Sequence, residues 1–110
     1  MLNQYVCVGK VKELPELKET ASGVKMARMT LELDRNFPNA QGAYESDLVE
    51  CTLWRGVAET TIAHCAEGSV VGIKGRIQSR VLENREGNRY IAYDLIAEQV
   101  TFISGPQLGA

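Results

Sequence analysis

The stretch Leu48–Arg80, LVECTLWRGVAETTIAHCAEGSVVGIKGRIQSR, decides the fold. Over Leu48–Trp54 the side chains alternate, with Val49, Cys51 and Leu53 on one face and Leu48, Glu50, Thr52 and Trp54 on the other. A period of two is the mark of a half-buried strand. From Val57 the apolar positions become Val57, Ala58, Thr61, Ile62 and Cys65, one face of a helix that Gly68 should stop. From Val70 the period of two returns: Val71, Ile73 and Ile77 point one way, Lys74, Arg76, Gln78 and Arg80 the other. The order is strand, helix, strand. A cationic row on one strand and a single Trp on another point to a surface that grips a charged, stackable polymer.

Towards the C-terminus, Glu83–Asn88 with Gly87 reads as a polar hairpin tip, and Arg89–Ile103 as a last strand long enough to bend. Towards the N-terminus, Asn36–Tyr44 is an exposed connection carrying Pro38, Asn39 and Gly42, with Phe37 at its start and no obvious core partner for it. Val24–Leu33 is a strand whose apolar phase slips: Val24 and Met26 share one parity, Met29, Leu31 and Leu33 the other. A bulge near Ala27–Arg28 would produce that slip. Lys12–Gly23 reads as a loop or hairpin, and Leu2–Val11 as a first strand in which Gly9 marks a bulge or sharp coil. Residues 1–104 form one domain and 105–110 a short flexible tail. The fold class is all-β with one helix: an OB-fold, a five-stranded Greek-key barrel with the helix between strands three and four. A generic five-stranded sheet is its rival.

The chain has 110 residues, enough for one modest core, and is 45% apolar and 24% charged. No apolar run is long enough to span a bilayer, and the N-terminus lacks the pattern of a secretory signal. The net charge of −2 argues weakly against a polyanion ligand, but the distribution matters more. Between Lys74 and Arg89 five cations (Lys74, Arg76, Arg80, Arg85, Arg89) stand against Glu83 and Glu86, a local excess of +3. Three widely spaced cysteines, Cys7, Cys51 and Cys65, read as buried free thiols in a reducing cytosol. The single His64 could not easily complete a metal site with them. Ser69 follows Gly68 without the G-x-S-x-G spacing, no nucleophile–base pair is evident, and no phosphate-binding glycine loop appears. A cytoplasmic non-enzyme without cofactor or metal is expected.

LNQYVCVGKV, TLWRGVAETTIAHCAEGSVVGIKGRIQSR and ENREGNRYIAYDLIAEQVTFIS together resemble the bacterial single-stranded DNA-binding proteins, over Leu2 to about Ser104. The chain is most similar to the short members that lack a long tail. The resemblance implies a homotetramer of OB folds that covers single-stranded DNA with little sequence preference, in replication, recombination, repair or DNA uptake. Stacking and phosphate contacts would carry the binding, since neither reads base edges. By position, Phe37 and Trp54 fall on stacking aromatics of the family and Arg80 on one of its arginines. Arg55, Lys74, Arg76, Arg85 and Arg89 are the other candidate phosphate contacts. Leu48 and Leu82 stand where the family has aromatics, and Gly56 where it has a lysine, so weaker binding with a larger relative share from phosphates is expected. Gly105–Ala110 carries no acid, so replication partners recruited by an acidic tip are not expected.

Two other readings share the fold: a dimeric, primosomal replication-restart accessory, and an OB module for protein contacts whose DNA face has degraded. Self-association has a reason of its own. A first strand as apolar as Tyr5–Val8 is an edge that small barrels seldom leave uncovered, and pairing with its own copy covers it. A tetramer is favoured over a dimer.

Overall fold

The computed structural model describes residues 1–105. Beyond Gly105, the tail expected over 105–110 lies outside the described residues. The elements run β1 (Tyr5–Glu13), β2 (Lys18–Glu19), β3 (Lys25–Asp34), β4 (Ser46–Trp54), α1 (Arg55–His64), β5 (Val70–Glu83) and β6 (Arg89–Ser104). Five strands close a ring in which β1 pairs β5, β5 pairs β6, β6 meets β4, β4 pairs β3 and β3 returns to β1. All contacts are antiparallel except the parallel one between β4 and β6, at Cys51–Leu95 and Thr52–Ile96. With α1 between the third and fourth strands of the ring, this is an OB-fold barrel. The sixth strand, β2, pairs with Lys25 and Met26 and makes the Lys12–Gly23 connection a hairpin.

Alternation fills the barrel. Val11, Ala27, Met29, Leu31, Cys51, Leu53, Val71 and Ile73 are buried inside, and Ala58 of α1 joins them. Each fully buried Leu or Ile contributes about 1.5–3 kcal/mol. Two glycines let the walls approach. A Cβ on Gly75 would sit 1.8 Å from the Ile96 carbonyl oxygen, beside a register shift between Lys74 and Gly75. A Cβ on Gly9 would sit 2.8 Å from the Glu32 oxygen, where β1 passes from β5 to β3. The pairing is regular at Gly9, so that residue serves close packing and not a bulge.

Two expectations need correction. No register shift occurs at Ala27–Arg28: β3 pairs β4 without interruption from Met26–Trp54 to Asp34–Ser46. Val24 and Met26 keep their parity and lie on the outer face. The helix also ends earlier, at His64, while Gly68 with φ of 87° forms the turn into β5.

Beyond Ile77 the strands β5 and β6 leave the barrel as a two-stranded arm, paired residue by residue from Ile77–Leu95 to Glu83–Arg89. Asn3 braces its root: its side-chain amide donates to the Ile77 carbonyl at 2.7 Å and accepts from the Ile77 N–H at 2.9 Å. At the tip the Asn84 side-chain oxygen accepts from the Glu86 and Asn88 N–H groups, and Gly87 takes φ of 83°.

Candidate nucleic-acid interface

Strand register assembles the site. On the outer face Met26 stands opposite Trp54, and Arg28 opposite Thr52. Thr52 neighbours Ile96, which pairs with Arg76, and Asp94 pairs with Gln78. Residues far apart in the chain thus share one surface, running across β3, β4 and β6 to the root of the arm. The surface is concave, because the β2–β3 hairpin rises on one side and the arm on the other.

Trp54, half-buried, lies at the junction of two stretches of this groove. One, of about 690 Å³, is lined by Thr20, Val24, Trp54, Arg55, Arg76 and Glu98 among others. The other, of about 360 Å³, is lined by Met26, Arg28, Thr52, Trp54, Arg80 and Asp94 among others, and Gln78 belongs to both. Four arginines therefore surround one indole. Arg80 donates through Nε and Nη2 to Asp94 at 2.6 and 3.0 Å, which raises its pKa further. Arg76 Nη1 donates to Glu98 at 3.2 Å, and Arg28 Nε lies 3.8 Å from a Glu50 carboxylate oxygen.

Arg55 has no carboxylate partner among the described residues. Its φ is 53°, the left-handed region that costs a non-glycine residue about 1 kcal/mol or more. The cause is local: Trp54 ends β4 in extended geometry and α1 begins at the next residue, with no linker to absorb the turn.

The other candidates lie elsewhere. Lys74 is divided from Arg76 and Arg80, although all three were expected to form one row. It pairs with Val6 of β1 and lines a separate hollow with Val6, Val8, Thr101 and Ile103, and the pairing of β5 with β1 ends at Gly75, between Lys74 and Arg76. Phe37 is 70% exposed on the β3–β4 connection and lines neither stretch of groove. That connection is ordered by its own contacts: Asn39 Oδ1 accepts from the Gln41 and Ala43 N–H groups, and Arg35 pairs with Asp47 and Glu45. Arg85 and Arg89 are exposed at the arm's tip. Leu48 is exposed towards the start of β4, and Leu82 stands opposite Tyr90 on the arm.

Sequence reading missed Val24, Met26 and Ile96. The phase slip in Val24–Leu33 was the signal for the first two: it marked apolar residues on the outer face, not a bulge. A flat π surface flanked by methionine, aliphatic side chains and guanidinium groups can hold planar units joined by anionic links. Behind this face Cys51 is buried in the barrel, and its interaction with Cys7 holds the Cys7 thiol below its usual pKa.

Residues 2–103 match the model of the single-strand binding protein family. The chain is 44% identical, over 103 residues, to single-stranded DNA-binding protein B of Bacillus subtilis, covering 94% of this chain and 91% of that protein. It is 39% identical over 110 residues to single-stranded DNA-binding protein 3 of Listeria innocua, of which it spans 69%. It is 42% identical over 103 residues to the single-stranded DNA-binding protein of Halalkalibacterium halodurans, of which it spans 61%.

Proposed function

Because this chain belongs to the single-strand binding protein family, we propose that it covers single-stranded DNA with little regard to sequence, in replication, recombination, repair or DNA uptake. The observation that carries the reading is Trp54, lying partly open in a groove walled by Arg28, Arg55, Arg76 and Arg80. A base stacks on the indole at about 1–3 kcal/mol, and the guanidinium groups take the phosphates on either side. Phe37, Arg85 and Arg89 extend the path beyond the groove, on the loop and the arm. Lys74 is the weakest of the proposed phosphate contacts, since it lies off that path. The role is binding without a catalytic step. It is assigned to the cytoplasm, where Cys7, Cys51 and Cys65 stay as the free thiols they are. No helix among the described residues is long and apolar enough to cross a membrane.

A homo-oligomer, a tetramer before a dimer, is part of the same proposal. Val6 is 68%, Val8 58% and Ile103 54% exposed on the outer face of β1, β5 and β6, an apolar surface that water disfavours. Beside it, among the described residues, Tyr5–Gly9 pairs only with β5, and β1 meets β3 from Lys10 onward, so one edge of its first half is left without a strand partner there. A second copy of that strand satisfies the edge.

Titration of Trp54 fluorescence with oligo-dT at two salt concentrations tests the function. Quenching that weakens as salt rises is the expected result. No quench at either salt would reject DNA binding and favour a protein-contact module. Molar mass by light scattering separates four subunits from two.

A further inference from the structure

Two of the groove arginines already hold carboxylates. Arg80 spends Nε and Nη2 on Asp94, at 2.6 and 3.0 Å, and Arg76 gives Nη1 to Glu98 at 3.2 Å. Both carboxylates line the groove itself. A carboxylate presents two oxygens to a guanidinium in the same fork geometry as a phosphate. Asp94 and Glu98 therefore stand where DNA phosphates would stand. We propose that Asp94 and Glu98 set the affinity of this groove, as built-in competitors that the phosphates of an incoming strand displace. The inference rests on the DNA-binding function proposed above.

Two consequences follow from the charges. Exchange of a carboxylate for a phosphate on one arginine leaves a displaced anion beside the strand, and that anion repels it. The exchange also releases fewer counterions than an unpaired arginine would, so the salt dependence is shallower than the number of arginines implies. The two carboxylates differ in strength. Asp94 makes two bonds and its side chain is 17% exposed, so it is held in place. Glu98 makes one bond and is 51% exposed, so it swings aside more readily.

The test uses the full chain, oligo-dT and Trp54 fluorescence over a series of salt concentrations. Asp94→Asn should bind about fivefold tighter at low salt, the worth of one unit charge a few Å from a phosphate in water. Glu98→Gln should bind about twofold tighter by the same reasoning, scaled to its single bond. Both gains should shrink as salt rises, while the slope of log affinity against log salt steepens by up to about 0.7 per phosphate newly neutralised. Asp94→Glu, which keeps the charge, should stay near wild type. A wild-type chain that gives no quench removes the DNA function and this inference with it. A wild-type chain that binds, with Glu98→Gln unchanged or weaker, overturns the inference alone. Glu98 is exposed enough that its variant folds and decides the matter even if Asp94→Asn does not. Weaker binding in a folded Asp94→Asn would mean that the carboxylate serves to orient Arg80, and would also overturn it.

Discussion

Two exposed faces of one barrel differ in chemistry, and the proposed function assigns them different work. The Trp54 groove, on β3, β4, β6 and the root of the arm, is built from arginines set against carboxylates around one indole. The outer face of β1, β5 and β6 shows Val6, Val8 and Ile103 with Lys74 at its margin. Both are exposed, but for opposite physical reasons. Paired charges stay solvated until an anionic chain replaces one partner, so the groove is stable in water while unoccupied. Exposed valines and isoleucine gain nothing from water, which is why the other face is proposed as the one a second copy covers. Exposure alone therefore does not identify a ligand site; the chemistry of what is exposed does.

The largest effect should come from the apolar face. Replacing Val6 and Val8 together by Glu should abolish self-association, read as a fall in molar mass to that of one chain. The fold should survive, because both side chains point outward. A mass unchanged by this double substitution would break the division proposed for the two faces.

The next effect belongs to the groove. Trp54→Ala should weaken binding of a labelled oligo-dT, followed by anisotropy, by roughly 10- to 100-fold, the loss of one stacked base. Molar mass should not change. A variant that lost DNA and oligomer together would show that the faces are not independent.

A comparison of Arg80→Ala with Lys74→Ala sharpens the boundary. The first should cost about fivefold and reduce the salt slope by about 0.7, since one phosphate contact is lost. The second should change affinity less than about twofold, because Lys74 lines a separate hollow and an exposed cation set back from the strand is screened by salt. Equal losses would return Lys74 to the groove.

The smallest effect lies outside both faces. Arg35 holds the Asp47 carboxyl below its usual pKa by hydrogen bonding. A depressed carboxylate pKa adds stability above its ordinary titration range, and that stability is lost as pH falls through the lowered value. Asp47→Asn should therefore lower the urea midpoint slightly at neutral pH and make no difference in strong acid. The effect is small because the pair is solvent-exposed.

The barrel was readable where period-two alternation met a helix signal, over Leu48–Arg80, because alternation reports directly which side of a strand faces the core. The outward placement of Trp54, Arg76 and Arg80 was legible for the same reason. The misreading of Val24 and Met26 shows its limit. Parity gives the side of a strand, but it does not say whether an outward apolar residue faces water or the floor of a groove. Lys74 shows another limit: parity placed it with Arg76, whereas the pairing of β5 with β1 ends between them, at Gly75.

The order of elements, the inward set from Val11 to Ile73, the indole and the guanidinium groups were all determined by local pattern, which one strand or helix carries alone. The partners were not. Asp94 beside Arg80, Glu98 beside Arg76, Met26 beside Trp54 and Lys74 beside Val6 depend on register between strands distant in the chain. Register is set by closure of the whole ring and by where Gly75 lets β6 approach β5, and only the tertiary structure decides it.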